Sequence, residues 1–222
     1  ISLVGYTNAG KSTLFNKLCN CEVEVEDKLF ATLDPTLRKL EVPVVGNVIL
    51  ADTVGFIRHL PHSLIDAFRA TLEEVNTSSL LLHLVDAATE EKIANQDQVN
   101  EVLKEIGADK IKQLYVYNKI DLIGERPRID RDARGIPCRV WISSAEEDGL
   151  ELLMECIQTI LTADMIETVV TLQPSQGQLR ADLYAAGAVT RERVNDDGLL
   201  ELMVTLEESK LDRVLKKTRQ GT

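Results

Sequence analysis

The chain has 222 residues, of which 44% are hydrophobic and 27% charged, and its formal net charge at pH 7 is -11. This length suits one domain of ordinary size with a small second one. The longest apolar run, at residues 80–85, has the length of a strand and falls far short of the ~20 residues that cross a bilayer, so no membrane span is predicted. An acidic chain does not favour general nucleic-acid binding, and the basic stretch at residues 210–219 is typical of a solvated helix face, with RNA contact as the alternative.

The four cysteines form no pattern typical of a zinc site. Cys19 and Cys21 make a C-x-C pair, which is not a usual zinc spacing, and Cys138 and Cys156 stand alone. We therefore expect reduced thiols in a cytoplasmic protein.

Strand-like and helix-like segments alternate along the first three quarters of the chain. Apolar runs predict strands at residues 1–4, 37–42, 48–52, 80–86, 113–117 and 139–142. Amphipathic segments predict helices at residues 11–18, 63–75, 96–106 and 150–161. This order predicts an α/β domain whose mostly parallel sheet has helices on both faces. The short connection at 43–46 allows a hairpin but no crossover helix, so the second strand is expected to run antiparallel.

The pattern changes near residues 163–167. Strands are predicted at 168–172, 188–194 and 199–206, and helices at 175–185 and 208–217. The order β-α-β-β-α predicts a small α+β domain of split-βαβ type. The sequence thus predicts one domain over residues 1–164 and a second over 167–222. The charged segment 123–136 is expected to be a surface loop.

A glycine-rich loop follows the first strand and opens the first helix. The segment from Gly5 to Ser12 fits the phosphate-loop pattern G-x-x-x-x-G-K-[ST]. Its backbone N–H groups would surround phosphate oxygens, Lys11 would add a positive charge, and the Ser12 hydroxyl would bind Mg²⁺. The predicted nucleotide contacts are Gly5, Tyr6, Thr7, Asn8, Ala9, Gly10, Lys11, Ser12 and Thr13. This motif alone leaves ATPase, kinase and GTPase open.

Two further motifs follow predicted strands. In the D-x-x-G segment, the Asp52 carboxylate is expected to reach Mg²⁺ and the Gly55 N–H the γ-phosphate, with Thr53 and Val54 lining the nucleotide. The segment Asn118, Lys119, Ile120 and Asp121 forms an N-K-x-D tetrad. Asp121 can accept hydrogen bonds from the guanine N1–H and amine, which adenine cannot offer in the same pattern.

The remaining tetrad residues have supporting roles. Asn118 is expected to tie the base loop to the phosphate loop, and the apolar stem of Lys119 to lie over the base. Ser143, Ser144 and Ala145 follow the last strand, where the Ala145 N–H could meet the guanine O6. Guanine selection favours a GTPase.

A switch segment is predicted between the first helix and the second strand. Such a segment needs a hydroxyl that reaches Mg²⁺ only while the γ-phosphate is present, and Thr32 and Thr36 both qualify by position. The other nucleotide contacts expected here are Phe30, Ala31, Leu33 and Asp34.

The motifs GYTNAGKS at 5–12, FATLDPT at 30–36 and DTVGFIRHLP at 52–61 together resemble the HflX family of ribosome-associated GTPases. The resemblance implies a P-loop GTPase fold, with GTP hydrolysis stimulated by the ribosome and binding to the large subunit and its rRNA. It also implies a part in ribosome splitting or rescue, and it favours Thr32 over Thr36 as the Mg²⁺ ligand. Family members carry an N-terminal domain that contacts rRNA; because this chain opens with Ile1 at the edge of a motif, we interpret it as a fragment lacking that domain.

The hydrolytic machinery departs from the common pattern. Many GTPases place Gln after the D-x-x-G glycine to orient water, whereas this chain has Phe56, which predicts slow intrinsic hydrolysis. Either the ribosome orders the switches, or K⁺ neutralises developing charge. The K⁺ hypothesis comes from a resemblance, since Asn8 is similar in position to the asparagine that binds K⁺ in several cation-stimulated GTPases; the alternative for Asn8 is a purely structural role. The expected catalytic residues are Asn8, Lys11, Thr32 and Gly55, and the expected Mg²⁺ ligands are Ser12, Thr32 and Asp52.

Other interpretations stay open at this level. His59 and His62 could supply a general base, although a surface role is the simpler interpretation, and His83 is expected to lie in the core. The chain could be a nucleotide-occupied recruitment module with little turnover. The tetrad argues against a small-molecule kinase. We expect a monomer with GTP or GDP, Mg²⁺ and the ribosome as its ligands and partner.

Overall fold

The computed structural model describes residues 1–20, 36–53, 55, 75–163, 165–195, 198–207 and 211–215. The chain divides into two compact units, Ile1–Leu161 and Thr162–Thr222. Within the described ranges, no helix is long and apolar enough to cross a membrane.

The first unit is built on a seven-stranded sheet with the order β2-β3-β1-β4-β5-β7-β6. Its strands are β1 (Ser2–Gly5), β2 (Thr36–Val42), β3 (Gly46–Asp52), β4 (Leu81–Asp86), β5 (Gln113–Asn118), β6 (Arg128–Arg131) and β7 (Pro137–Trp141). The five central strands are parallel, and β2 pairs antiparallel with β3, as the short connection between them predicts.

The prediction of a loop over 123–136 is wrong in its middle, because Arg128–Arg131 forms the edge strand β6. β6 pairs antiparallel with β7, and Ile129 packs against the core, whereas its neighbours in the strand are charged. The Asp132 carboxylate accepts hydrogen bonds from the N–H groups of Arg134 and Ile136 and closes the hairpin. The sheet therefore has a second antiparallel strand, where the sequence predicts only one.

Helices cover both faces of this sheet. They are α1 (Lys11–Cys19), α2 (Lys92–Glu105) and α3 (Leu150–Thr162), with a short 3₁₀ turn at Ile120–Ile123. α1 and α3 pack on one face through Leu14, Phe15 and Ile157, and α2 packs on the other through Val99 and Leu103. The helix predicted over 63–75 lies outside the described residues, apart from the buried Val75.

The second unit contains β8 (Met165–Leu172), α4 (Gly177–Ala185), β9 (Val189–Val194) and β10 (Leu200–Glu207). The sheet order is β8-β10-β9 with antiparallel neighbours, so β8 and β9 run parallel with β10 between them. This is the predicted split-βαβ arrangement. Leu179 and Leu183 of α4 join Leu202 and Val204 in its core. The predicted last helix is described only over 211–215, which is helical.

Candidate nucleotide site

The phosphate loop connects β1 to α1 through backbone conformations that residues with side chains rarely adopt. Gly5 has φ 150° and Gly10 φ 94°, and Asn8 between them has φ 61°. A Cβ on Gly5 would overlap the carbonyl oxygen of Leu84, so glycine is required there for space as well as for conformation. Gly10 caps α1 without a side-chain hydrogen bond, and the first turn has no acidic residue. The positive end of the helix therefore faces the loop, an arrangement suited to an anion.

Lys11 is the charged group at the centre of this loop. Its side chain is buried, and Nζ donates hydrogen bonds to the carbonyl oxygens of Gly5 at 3.1 Å and Tyr6 at 3.0 Å. Burial lowers the pKa of Lys11 to about 8, while the nearby Asp52 carboxylate acts in the opposite direction. A buried ammonium that donates to backbone carbonyl oxygens would gain strongly from a phosphate anion.

Ser12 and Asp52 meet at the ends of α1 and β3. The Ser12 Oγ donates a hydrogen bond to Asp52 Oδ2 at 2.8 Å, and Asp52 is buried. A hydroxyl and a carboxylate oxygen this close form the hard-oxygen donor set that Mg²⁺ prefers, so these residues fit a magnesium ion. Thr53 is also buried, but its hydroxyl donates to the carbonyl oxygen of Leu3 and so braces the strand.

Gly55 lies against the phosphate loop. A Cβ at this position would come within 2.8 Å of Thr7 Cγ2 and 3.2 Å of Lys11 Nζ. The D-x-x-G glycine is thus brought to the lysine that would hold the outer phosphates. Only a residue without a side chain lets the backbone approach this closely.

Asn118 joins the base loop to the phosphate loop. Its side-chain Nδ2 donates to the carbonyl oxygen of Ala9 at 2.9 Å, and its Oδ1 accepts from the backbone N–H of Ser144 at 2.9 Å. The residue is buried, so neither bond is exposed to competing water. One amide therefore connects three of the sequence motifs, and its first contact is the one that the tetrad predicts.

The Asp121 carboxylate lies beside the loop that follows β7. Ser143 Oγ donates to Asp121 Oδ1 at 2.6 Å and accepts from the N–H of Glu146 at 3.2 Å. Asp121 and Ala145 are exposed, whereas Ser144 is buried, and its Oγ has no hydrogen-bond partner within the described ranges. Ser143 thus fixes one oxygen of the Asp121 carboxylate, while the residue as a whole is exposed.

Lys119 has a partner that the sequence patterns did not indicate. Its Nζ lies 2.7 Å from Oδ2 of Asp86, the last residue of β4. The parallel register of β4 and β5 places Asp86 directly beside Asn118. The sequence does place an Asp at the end of a central strand. A single Asp at that position is common in α/β sheets, so it does not by itself identify a partner for Lys119.

Several predicted site residues lie outside the described part of the chain. These are Phe30, Ala31, Thr32, Leu33, Asp34, Val54, Phe56, His59 and His62. Thr36, the other candidate for the switch, is the first residue of β2. His83 is buried in β4, in agreement with its interpretation as a core residue.

Comparison with known proteins gives matches along most of the chain. Residues 1–119 match the family model described as "50S ribosome-binding GTPase", and residues 129–221 match "HflX C-terminal domain". The GTPase HflX of Escherichia coli K12 is 47% identical over 207 residues, covering 93% of this chain and 49% of that protein. The GTPase HflX of Magnetococcus marinus is 43% identical over 215 residues, covering 96% and 49%.

The chain spans about half the length of the relatives it matches. Among solved structures, a GTP-binding protein from Sulfolobus solfataricus in complex with GDP superposes with a TM-score of 0.56 at 30% identity. That match covers 72% of this chain and 51% of the other.

Proposed function

The chain belongs to the HflX family of GTPases, and we propose that it binds guanine nucleotides and hydrolyses GTP as a ribosome-associated switch. The observation that carries the proposal is the double hydrogen bond of the Asn118 amide. It fixes the N-K-x-D tetrad to the phosphate loop on one side and to the Ser144 backbone on the other. A phosphate loop attached in this way to the segment that carries the base-reading carboxylate suits a guanine nucleotide.

We assign the chain's residues the following parts. Lys11 leaves the carbonyl oxygens of Gly5 and Tyr6 and binds the β- and γ-phosphates, and the Gly55 N–H donates to the γ-phosphate. When bound at Ser12, Asp52 and Thr32, Mg²⁺ would neutralise charge on the phosphate oxygens. Water attacks the γ-phosphorus, the bond to the bridging oxygen breaks, and GDP and phosphate leave.

The group that orients the attacking water is the open element of this mechanism. Phe56 has no polar atom to orient it, so intrinsic turnover is expected to be slow. We propose that large ribosomal subunits order the switches, or that K⁺ bound at Asn8 supplies charge beside the β- and γ-phosphates. Asn8 has a left-handed backbone conformation and is exposed in the phosphate loop, which supports the proposal.

GTP turnover in K⁺ and in Na⁺, each with and without large ribosomal subunits, tests both proposals. Faster phosphate release with subunits supports stimulation by the ribosome. Faster release in K⁺ than in Na⁺, if Asn8→Gly abolishes the difference, supports K⁺ binding at Asn8. Asn20→Gly is the matched control, since Asn20 is also an exposed asparagine with positive φ, at the other end of α1. Equal rates in all four conditions would contradict both and favour a recruitment module.

Base selection has its own test. Asp121→Asn replaces the acceptor for the guanine N1–H with an amide, which should shift preference from GTP toward xanthosine triphosphate. Binding of both nucleotides to wild type and variant is measured by calorimetry. Unchanged tight GTP binding by the variant would refute the role of Asp121, and equal binding of ATP and GTP by the wild type would refute the proposed function.

The cellular setting is proposed on the family alone. We propose a cytoplasmic monomer, with the GTPase domain at residues 1–164 and a separate small domain at 167–222, that acts on the large subunit and its rRNA in splitting or rescue. Sedimentation with each ribosomal subunit, in GDP and in a non-hydrolysable GTP analogue, tests this. Binding to neither subunit in either state would refute it.

A further inference from the structure

Asp86 ends β4 in a turn that is attached to the base loop. Its Oδ1 accepts a hydrogen bond from the N–H of Ala88 at 2.9 Å, which fixes the turn. The N–H of the intervening Ala87 donates to the carbonyl oxygen of Asn118 at 2.9 Å. The backbone after β4 therefore supports the residue that precedes Lys119.

The second oxygen of the same carboxylate holds Lys119. Asp86 Oδ2 lies 2.7 Å from Lys119 Nζ, and the two side chains are only 25% and 31% exposed. Lys119 itself has φ 67° and starts the 3₁₀ turn at Ile120–Ile123. A pair that is more than half buried is screened less by salt than a surface pair.

Without a partner, the Lys119 side chain would have many rotamers available. Ordering a lysine costs conformational entropy, which nucleotide binding would otherwise have to supply. Fixing the ammonium at Asp86 anchors the far end of the side chain before the base arrives. Anchoring of this kind improves binding by removing an ordering cost, and it acts mostly on the dissociation rate.

We propose that Asp86 is a positioning residue for guanine binding, which orients the apolar stem of Lys119 over the base plane by pairing with its ammonium. The inference rests on the proposed guanine-nucleotide site. Asp86 does not touch the base and acts through Lys119. Its Oδ1 accepts the hydrogen bond of the turn, and its Oδ2 pairs with the ammonium.

The test is a double-mutant cycle on the 222-residue chain, read as the dissociation rate of a fluorescent GDP. Asp86→Asn keeps an acceptor for the Ala88 N–H and removes the charge, and Lys119→Met keeps an apolar stem and removes the ammonium. Each single change should speed GDP release about fivefold, the size of a partly buried pair. The double variant should be no faster than the singles, because both remove the same interaction.

Asp109→Asn is the matched control. Asp109 also pairs with a lysine, its exposed neighbour Lys110, but at the opposite end of β5, and its substitution should leave GDP release unchanged. Asp86→Glu should restore most of the slow release, which a general loosening of the turn would not.

Three outcomes separate the claims. Wild-type release from Asp86→Asn, or effects that multiply in the double variant, would overturn the role of Asp86 while the proposed function stands. Failure of the wild-type chain to bind GDP at all would instead overturn the proposed function, and this inference with it. Similar acceleration by Asp109→Asn would show a general effect of losing a surface charge and would also refute the proposal.

Discussion

Gly10 lies against the side-chain amide of Asn118 so closely that a Cβ on Gly10 would overlap Nδ2. The same Nδ2 donates to the carbonyl oxygen of Ala9, the residue next to Gly10. The contact between the phosphate loop and the base loop therefore depends on the absence of a side chain at Gly10 and on the side-chain amide of Asn118.

Gly10→Ala should weaken GDP binding far more than its backbone strain alone explains. Asn118 would have to move, and breaking its buried hydrogen bond should lower affinity roughly 10- to 100-fold. Gly46→Ala is the control: Gly46 also has positive φ, 89°, but a Cβ there meets nothing within 4 Å. That variant should lose only about 1 kcal/mol of stability from strain and keep wild-type GDP affinity. Equal GDP affinities of the two variants would contradict the contact.

The sequence specifies the phosphate loop and the tetrad because local strand–loop–helix order already fixes the geometry that each motif needs. This local order brings Lys11 to the carbonyl oxygen of Gly5, Asp52 to Ser12 and Asn118 to Ala9, while their contacts with a nucleotide or Mg²⁺ stay predictions. The pairing of Asp86 with Lys119 is different, since it depends on the register of two parallel strands that are over thirty residues apart along the chain. The sequence does not predict β6 for a related reason: Ile129 is its one apolar residue and is only partly buried, and the strand forms by pairing with β7.

GDP binding should take up protons above neutral pH. Burial lowers the pKa of Lys11 to about 8, so roughly half of the free chains carry a neutral Lys11 at pH 8. Bound phosphates favour the charged ammonium, so binding should take up roughly half a proton at pH 8 and about a tenth at pH 7. Calorimetry in buffers of different ionisation enthalpy measures this uptake. The same uptake at both pH values would exclude Lys11 as its source.

His83 should make the protein sensitive to mild acid. Burial lowers its pKa to about 4, the hydrogen bond with Gln113 opposes this shift, and the Lys11 charge adds to it. The unfolded chain, with an ordinary histidine pKa near 6.5, binds the extra proton first as the pH falls. The free energy of unfolding should therefore decrease below pH 6.5, by about 2 kcal/mol between pH 7 and pH 5.

Urea unfolding of wild type and His83→Leu at the two pH values checks this expectation. The variant removes the titrating group from a buried position in β4 and should lose most of the difference between pH 7 and pH 5. If both proteins respond equally to pH, the sensitivity belongs to other groups.

Trp141, the chain's single tryptophan, should report on the sheet edge beneath the base loops. Its ring stacks on Tyr117 with centroids 4.4 Å apart, and the Arg128 guanidinium lies 3.9 Å from its centroid. Arg128→Ala should expose the indole, shift its emission to longer wavelength and cost about 1 kcal/mol of stability. The exposed Arg126, two residues earlier, gives the control variant Arg126→Ala.

Because Trp141 lies two residues before Ser143 in the same strand and loop, GDP binding should also change its emission. Emission that responds to GDP but not to Arg128→Ala would mean that the indole senses the base loop while water is excluded from it by contacts other than the guanidinium.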